Sequence, residues 1–264
     1  MCSTKAFPIL FHMVRHADPR WVLRRLRETL GPPPSVAADP LVTLVLTILS
    51  QNTTDINRDR AYASLTARFR SFDEVADADI DVLSAAISTA GLQCQKAASI
   101  RAALQRIRAQ EGRLDLSFLE RMPTDAAFAW LLASPGVGEK TASIVLLFAF
   151  GRPVFPVDTH IRRVLTRVGW ITAGGNPHRK AQDRIPQDPA LMKDLHLLLI
   201  RLGRTMCRPR RPDCAACPLQ IRCAYGAPAS PRVSSLSSRE EEHAKSRGRA
   251  RERTPRAKLE ARGR

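Results

Sequence analysis

One stretch decides the fold: Ser134-Pro-Gly-Val-Gly-Glu-Lys-Thr-Ala142, followed by Phe155-Pro-Val-Asp-Thr-His160. Apolar segments lie on both sides of its first part, and their spacing and length predict two short helices. Pro135 ends the first helix, and Gly136 and Gly138 permit a tight reversal without side-chain clashes. The pattern therefore predicts a helical hairpin.

The glycines of this hairpin indicate an anion site. The helices are predicted over residues 126–132 and 141–150, and the turn between them leaves the unpaired N–H groups of the second helix facing outward. Such groups bind phosphate, so Gly136, Val137 and Gly138 are predicted to contact a phosphate backbone. The alternative is an ordinary glycine-rich turn between helices.

Lys140 and Asp158 offer an amine and a carboxylate for chemistry. An amine is a nucleophile only when deprotonated, and Lys140 is predicted at the positive end of a helix dipole, which disfavours its ammonium form. Asp158 directly precedes the amphipathic segment 159–168, so we expect it to cap a helix and to be held in one orientation. The alternatives are a solvated surface lysine and a plain helix cap.

These residues carry a family resemblance. Pro135-Gly-Val-Gly-Glu-Lys-Thr-Ala142, followed by Val157-Asp-Thr-His-Ile-Arg-Arg-Val164, resembles the helix–hairpin–helix and Gly/Pro–Asp signature of the endonuclease III DNA glycosylases/AP lyases. The resemblance implies that Lys140 attacks C1′ of a flipped, oxidised pyrimidine nucleoside and that Asp158 stabilises the developing positive charge. It further implies base excision repair on damaged double-stranded DNA, a nick by β-elimination through a lysine Schiff base, and a monovalent cation at the hairpin.

The last four of the six cysteines suit a metal centre. They follow the spacing C-x6-C-x2-C-x5-C within seventeen residues. Zinc ribbons normally show two separated C-x-x-C pairs, so the irregular spacing favours a [4Fe–4S] cluster, and structural zinc stays the alternative. The spacing also equals the endonuclease III cluster motif, which implies Cys207, Cys214, Cys217 and Cys223 as the ligands.

The net charge bounds the class of partner. The chain carries 42 basic and 25 acidic residues, which gives +17 and a sequence pI near 10.8. A polyanion such as DNA is the expected partner. The longest apolar run, Leu41 to Leu49, is too short to span a bilayer. Without a signal peptide, the chain is predicted to be a cytoplasmic, nucleoid-associated bacterial protein and a monomer.

Two groups of residues are further candidates for DNA contact. The loop between the first two cluster cysteines carries three guanidinium groups, those of Arg208, Arg210 and Arg211, and the alternative is a solvated charged loop. By position, the resemblance aligns Asn52, with Gln51 one place away, to a glutamine that fills the hole left by the flipped nucleotide. It aligns Leu92 to a leucine that wedges into the base stack. The alternatives are an Asx turn or helix cap for Asn52 and a buried loop leucine for Leu92.

The sequence predicts an all-α fold in two lobes with a DNA groove between them. Residues 37–153 would form a six-helix barrel lobe containing the helix–hairpin–helix at about 127–150. Residues 15–36 and 154–225 would form the lobe that carries the cluster. Residues 226–264 hold eleven basic and five acidic residues with little that is apolar, so a disordered basic tail is expected.

Some positions depart from the family pattern. Leu202 replaces a histidine and Gln93 replaces a tyrosine, so the reaction class is better defined than the range of bases. An AP lyase or weak glycosylase with an altered base range is one alternative. Three others stay open: an adenine-mispair or thymine-mismatch glycosylase, which would lack Lys140, a non-catalytic DNA-binding iron–sulfur protein, and a redox sensor.

Overall fold

The computed structural model describes residues 17–35 and 39–226, and this part of the chain is helical, with no β-strand. The all-α prediction is confirmed. The predicted tail lies outside the described residues from 227 onward. The helices run α1 Pro19–Leu30, α2 Pro40–Leu49, α3 Asp55–Arg68, α4 Phe72–Asp77, α5 Ile80–Ala86, α6 Gln93–Glu111, α7 Thr124–Leu132, α8 Glu139–Ile144, α9 Thr159–Val168, α10 Pro177–Arg184 and α11 Pro189–Thr205.

Shorter turns complete the fold. Three of them are 3-10 turns, and α8 continues as a π-helical segment. The 3-10 turns are Ser88–Ala90, Ser117–Arg121 and Gln220–Arg222, and the π-helical segment is Val145–Ala149. The second helix of the hairpin was predicted over 141–150, and it begins two residues earlier, at Glu139.

Two hydrophobic cores divide the described chain. The first lies among α2 to α8, with Ile48, Leu65 and Leu104 fully buried. The second joins α1 to α9 and α11, and it buries Leu26 and Leu199. Two cores agree with two lobes, since each lobe needs its own buried apolar interior. The residue boundaries given to the lobes stay predictions.

The π-helical segment lies between the cores. Val145 and Leu146 belong to the first core, and Leu147 belongs to the second. A π-helix turns its side chains differently from an α-helix, so three consecutive residues can serve two interiors. The segment therefore connects the hairpin to both lobes.

The N-terminal helix packs with the C-terminal helices. Asp18 caps α1 by accepting from Arg20 and Trp21 N–H groups. The Trp170 indole N–H donates to the Ala17 carbonyl at 2.7 Å, and Arg27 of α1 forms an ion pair with Asp194 of α11. These contacts hold α1 against the C-terminal helices, so both ends of the described chain contribute to the second core.

Ser71 and Thr124 are each followed by a helix-forming segment, and residues of these two types commonly cap helix starts, so the sequence predicts a capped helix start at each. Ser71 is the cap of α4, as predicted, and accepts from the Glu74 N–H at 3.3 Å. The helix start predicted at Thr124 is confirmed, since α7 begins there, but the cap position is Pro123 and no side chain caps the helix. The Thr124 hydroxyl instead accepts from the Arg152 guanidinium at 3.0 Å. No helix in the described ranges is long and apolar enough to cross a membrane.

Candidate active site

The hairpin glycines serve different purposes. Gly136 has φ +76, and a Cβ there would lie 2.1 Å from Oγ of Ser99 on α6. The hairpin could not pack on α6 with any side chain at this position. Gly138 has φ −94, and a Cβ there would meet nothing within 4 Å. The fold therefore requires Gly136 but not Gly138, whose missing side chain leaves open space at the N-terminus of α8.

Side chains from neighbouring elements hold the hairpin loop. The Gln51 amide donates to the Gly136 carbonyl at 3.0 Å. Arg106 of α6 donates to the Ser134 hydroxyl at 2.8 Å and lies over the Trp130 ring. No side chain caps α8. The first-turn N–H groups thus stay free of side-chain partners on a fixed loop.

Alanine substitutions at Gly136 and Gly138 should distinguish a glycine that the fold requires from a glycine that a ligand contact requires. Gly136→Ala should lower stability by about 1–3 kcal/mol because of overpacking and a strained φ. Gly138→Ala should leave the melting temperature unchanged, and it should weaken binding to duplex DNA by about tenfold if a phosphate approaches this loop. Thermal unfolding and fluorescence anisotropy measure the two effects. Equal DNA affinity of Gly138→Ala and wild type would remove the phosphate contact.

Lys140 lies in the first turn of α8 and is partly buried. Burial lowers the pKa of its amine below the ordinary 10.5, and the Arg204 guanidinium lowers it further. Asp158 opposes this shift and raises the pKa. The sequence predicted a lowered pKa from the helix dipole, whereas the structure attributes it chiefly to loss of water. More of the amine is therefore neutral near physiological pH.

Asp158 is the N-cap of α9. Its carboxylate accepts from the Ile161 N–H at 2.7 Å, which confirms the predicted cap. It acts electrostatically on Lys140, but among the described residues no carboxylate forms an ion pair with Lys140. The carboxylate is thus held by its cap and lies near enough to influence the pKa of Lys140.

An ion pair joins the two lobes beside this space. Arg204 of α11 donates to both carboxylate oxygens of Asp55, the first residue of α3, and lowers the pKa of that carboxyl. Arg58 adds a weaker contact to Asp55 at 3.4 Å. These three charged groups and Asp158 set the field at Lys140. The sequence did not reveal Asp55, Arg58 or Arg204, because the pairing connects positions 149 residues apart.

His196 is a further residue near Asp158 and Lys140 that the sequence did not indicate. Its side chain is buried on α11, its Nδ1 lies 3.1 Å from the Pro156 carbonyl, and Phe148 and Phe155 pack edge-on against its ring. Burial lowers its pKa to about 4, although the nearby Asp158 opposes that shift. His196 is thus neutral at physiological pH, and its buried ring lies near the Asp158 carboxylate without adding a charge there. A histidine in an apolar helix gives no sequence signal for this position.

The predicted loop residues differ in exposure. Leu92 is 49% exposed with φ 48, so the alternative of a buried loop leucine is wrong. Asn52 is exposed with φ 51, and it is not a helix cap, because Thr54 caps α3. Gln51 is engaged with the hairpin. Asn52 and Leu92 stay predicted DNA contacts, and both keep an unfavourable backbone conformation for a non-glycine residue.

The structure also shows where the two residues that depart from the family pattern, Gln93 and Leu202, lie. Gln93 is the first residue of α6 and is half-buried. Leu202 is 1% exposed and packs in the second core. The residue that replaces the family's histidine therefore contributes to the core and is not exposed.

The four C-terminal thiols lie near one another. Burial raises the pKa of the Cys217 thiol, and the three other thiols act on it in the same direction. The Arg167 guanidinium donates to Sγ of Cys207 at 3.3 Å, and the thiol of Cys223 donates to the Arg167 carbonyl at 3.2 Å. A Cβ on Gly226 would lie 3.2 Å from Sγ of Cys214. The described chain holds no group of three or more His, Cys, Asp or Glu side chains gathered for a single metal ion.

The loop between Cys207 and Cys214 presents its arginines to solvent. Arg208, Arg210 and Arg211 are all exposed, and Arg211 has φ 50. None of the three forms an ion pair with a carboxylate in the described residues. Their role in binding DNA stays a prediction.

Known proteins resemble this chain in sequence and in structure. The family model of HhH-GPD superfamily base excision DNA repair proteins matches residues 45–186. Endonuclease III of Sulfolobus acidocaldarius is 35% identical over 190 residues, which cover 69% of this chain and 81% of that protein. Endonuclease III of Escherichia coli (strain K12) is 33% identical over 208 residues, which cover 77% and 93%.

A solved structure of a trapped endonuclease III–DNA covalent intermediate superposes with a TM-score of 0.66. It is 26% identical and covers 78% of this chain and 94% of that one. Family, relatives and fold agree with the predicted all-α, helix–hairpin–helix architecture. The chain belongs to the HhH-GPD superfamily of base excision DNA repair proteins, as an endonuclease III-like enzyme of the DNA glycosylase/AP lyase class.

Proposed function

We propose that the chain removes oxidised pyrimidines from duplex DNA and then nicks the strand, with Lys140 as nucleophile. The observation that carries this is the Lys140 amine itself. It is partly desolvated, it has a lowered pKa, and it lies in the first turn after the hairpin with Asp158 nearby. A lysine with these properties is suited to covalent catalysis.

The reaction begins with binding and base flipping. Backbone N–H groups after Gly136 and Gly138 hold a phosphate beside the lesion, with the monovalent cation predicted at this hairpin. The exposed Leu92 side chain enters the stack, which offsets part of the cost of unstacking, about a few kcal/mol. Asn52 lies on the other candidate loop, and we assign it to the gap that the flipped nucleotide leaves in the base stack. The damaged nucleoside then reaches Lys140.

Chemistry follows in two stages. The neutral Lys140 amine forms a bond to C1′ while the bond from C1′ to the base breaks, and the base leaves with the electron pair and takes up a proton. Asp158 stabilises the positive charge that develops on the sugar. Opening of the sugar ring gives a Schiff base, loss of a C2′ proton breaks the C3′–O bond, and hydrolysis of the imine frees Lys140.

The cysteine cluster would hold the C-terminal loop rather than react. Cys207, Cys214, Cys217 and Cys223 are the proposed ligands, and the Arg167 guanidinium donates to Sγ of Cys207. The four thiols lie close enough together for the other three to act on Cys217, which fits a shared metal centre. The irregular cysteine spacing supports a [4Fe–4S] cluster over zinc at this place, and the cluster would supply a rigid support for the loop of Arg208, Arg210 and Arg211.

Borohydride trapping on two duplexes tests this function. One duplex holds thymine glycol and the other an abasic site, and the chain is expected to be captured on both. Capture on the abasic duplex alone would mean an AP lyase with an altered base range. Absence of capture on either would overturn the proposal in favour of a non-catalytic DNA-binding protein.

The matched substrate is an undamaged duplex of the same sequence. Binding without capture there shows that trapping depends on the lesion and not on contact with DNA. Gel filtration of the same preparation, with and without duplex, tests the predicted monomer.

A further inference from the structure

Lys96 is the only lysine of the described chain that is fully buried, and the chemistry above does not use it. Its side chain is 2% exposed. It lies in the first turn of α6, between the first core and the two loops that carry Asn52 and Leu92. A buried charge is rare in proteins unless its hydrogen-bonding groups are satisfied, so its partners indicate what it does.

Lys96 joins the two loops through hydrogen bonds. Its Nζ donates to the Leu49 carbonyl at 2.8 Å and to the Ala90 carbonyl at 2.7 Å. Its backbone N–H donates to the Leu92 carbonyl at 3.0 Å. Leu49 is the last residue of α2 and Ala90 the last of a 3-10 turn. Both carbonyls would otherwise lack a partner, because helix ends leave their last carbonyls free.

Each of the two loops, which follow Leu49 and Ala90, contains a residue in the left-handed backbone region. Asn52, three residues after Leu49, has φ 51, and Leu92, two residues after Ala90, has φ 48. Leucine rarely adopts left-handed backbone angles. The Leu92 side chain nonetheless stays 49% exposed instead of packing into the core. The surroundings of Leu92 must therefore impose its conformation. The backbone bond from Lys96 to the Leu92 carbonyl belongs to α6 itself, whereas the Lys96 side chain holds the Ala90 carbonyl two residues before Leu92.

We propose that Lys96 is a positioning residue that clamps the 50–54 loop and the 90–92 loop at a fixed separation, so that both enter duplex DNA together at the lesion. This role rests on the proposed function. A packed apolar side chain would stabilise the core at least as well as a buried ammonium group. What an apolar side chain cannot do is bond two carbonyls from separate loops.

The clamp does not depend on the charge of the amine. Burial lowers the pKa of the Lys96 amine, and a neutral amine still carries two N–H donors for its two carbonyl partners. The clamp should therefore persist across the pH range in which Lys140 becomes active.

The test compares Lys96→Met with Lys96→Arg. Methionine keeps the length and loses the donors, and arginine keeps the donors. Lys180→Met is the matched control, because Lys180 also bonds loop carbonyls, those of Thr172 and Gly174, away from the two loops. Active enzyme is first counted by exhaustive borohydride trapping, so that an unfolded fraction does not count as a slower rate.

Two readouts are measured on a duplex with 2-aminopurine opposite an abasic site. Lys96→Met should lower the single-turnover trapping rate per active enzyme by about tenfold or more, since small misplacement of positioning groups has large effects on rate. It should also lower the fluorescence rise of 2-aminopurine at saturating enzyme. Lys96→Arg should restore much of both, and Lys180→Met should leave both unchanged.

Two outcomes would overturn the clamp while the proposed function survives. One is a Lys96→Met variant with the wild-type rate and fluorescence. The other is an equal loss in Lys96→Met and Lys180→Met. If Lys96→Met does not fold, Lys96→Leu, which also lacks the donors, takes its place, and a wild-type rate and fluorescence for it would also overturn the clamp. Wild-type protein without trapping would instead overturn the proposed function, and the clamp with it.

Discussion

Replacing Lys140 should abolish covalent capture while DNA binding persists. We expect Lys140→Met and Lys140→Arg to lower the trapping rate on an abasic duplex by a factor on the order of 10⁴ or more, as loss of a nucleophile does elsewhere. Methionine removes both charge and nucleophile. Arginine keeps the positive charge but stays protonated. The pair therefore separates nucleophilic attack from simple attraction to DNA.

The measurement is single-turnover trapping with borohydride, alongside anisotropy with the same duplex. Lys140→Arg should bind DNA with nearly wild-type affinity. Neither variant should lose thermal stability, because burial already disfavours the Lys140 ammonium in the folded protein. Trapping by Lys140→Arg at the wild-type rate would show that another amine is the nucleophile.

Asp158→Asn should lower the maximal rate by about 10²-fold to 10⁴-fold, because the carboxylate stabilises charge that develops only in the transition state. Asparagine caps helices as well as aspartate does, so α9 should stay intact and the melting temperature should hardly change. Asp158→Ala should lose about 1 kcal/mol of stability as well, through loss of the cap.

The pH profile gives Asp158→Asn a second signature. Asp158 raises the pKa of Lys140, so its neutralisation should lower that pKa further. The rising limb of the rate profile should then move to lower pH while the maximal rate falls. Asp188→Asn is the matched control, since Asp188 caps α11 through the Ala190 and Leu191 N–H groups. A shift to higher pH in Asp158→Asn would contradict the assigned field.

The hairpin and the two catalytic candidates could be predicted because their signals are local. Gly136, Lys140 and Asp158 lie within 23 residues, and turn chemistry and capping act over a few positions. The Thr124 cap failed because Pro123 took the cap position. Local patterns of this kind permit more than one cap position.

The surroundings of Lys140 could not be predicted, because they come from distant helices. Arg204 and Asp55 meet across the lobes, and His196 approaches through α11. The sequence also could not give the reason for the lysine's lowered pKa, because burial is a property of the packed structure. The reaction class was thus readable from the motif, whereas the electrostatics that support it needed coordinates.

One helix sets a distance that matters to the whole enzyme. Ser99 of α6 leaves no room for a side chain at Gly136 in the phosphate loop, and Lys96 holds the loop of the exposed leucine one turn earlier. The two supports are about 4.5 Å apart along the helix axis. Inserting a single residue between them would rotate one by about 100° relative to the other. The same helix therefore supports both the proposed phosphate contact and the proposed base-stack contact, and it fixes the distance between them.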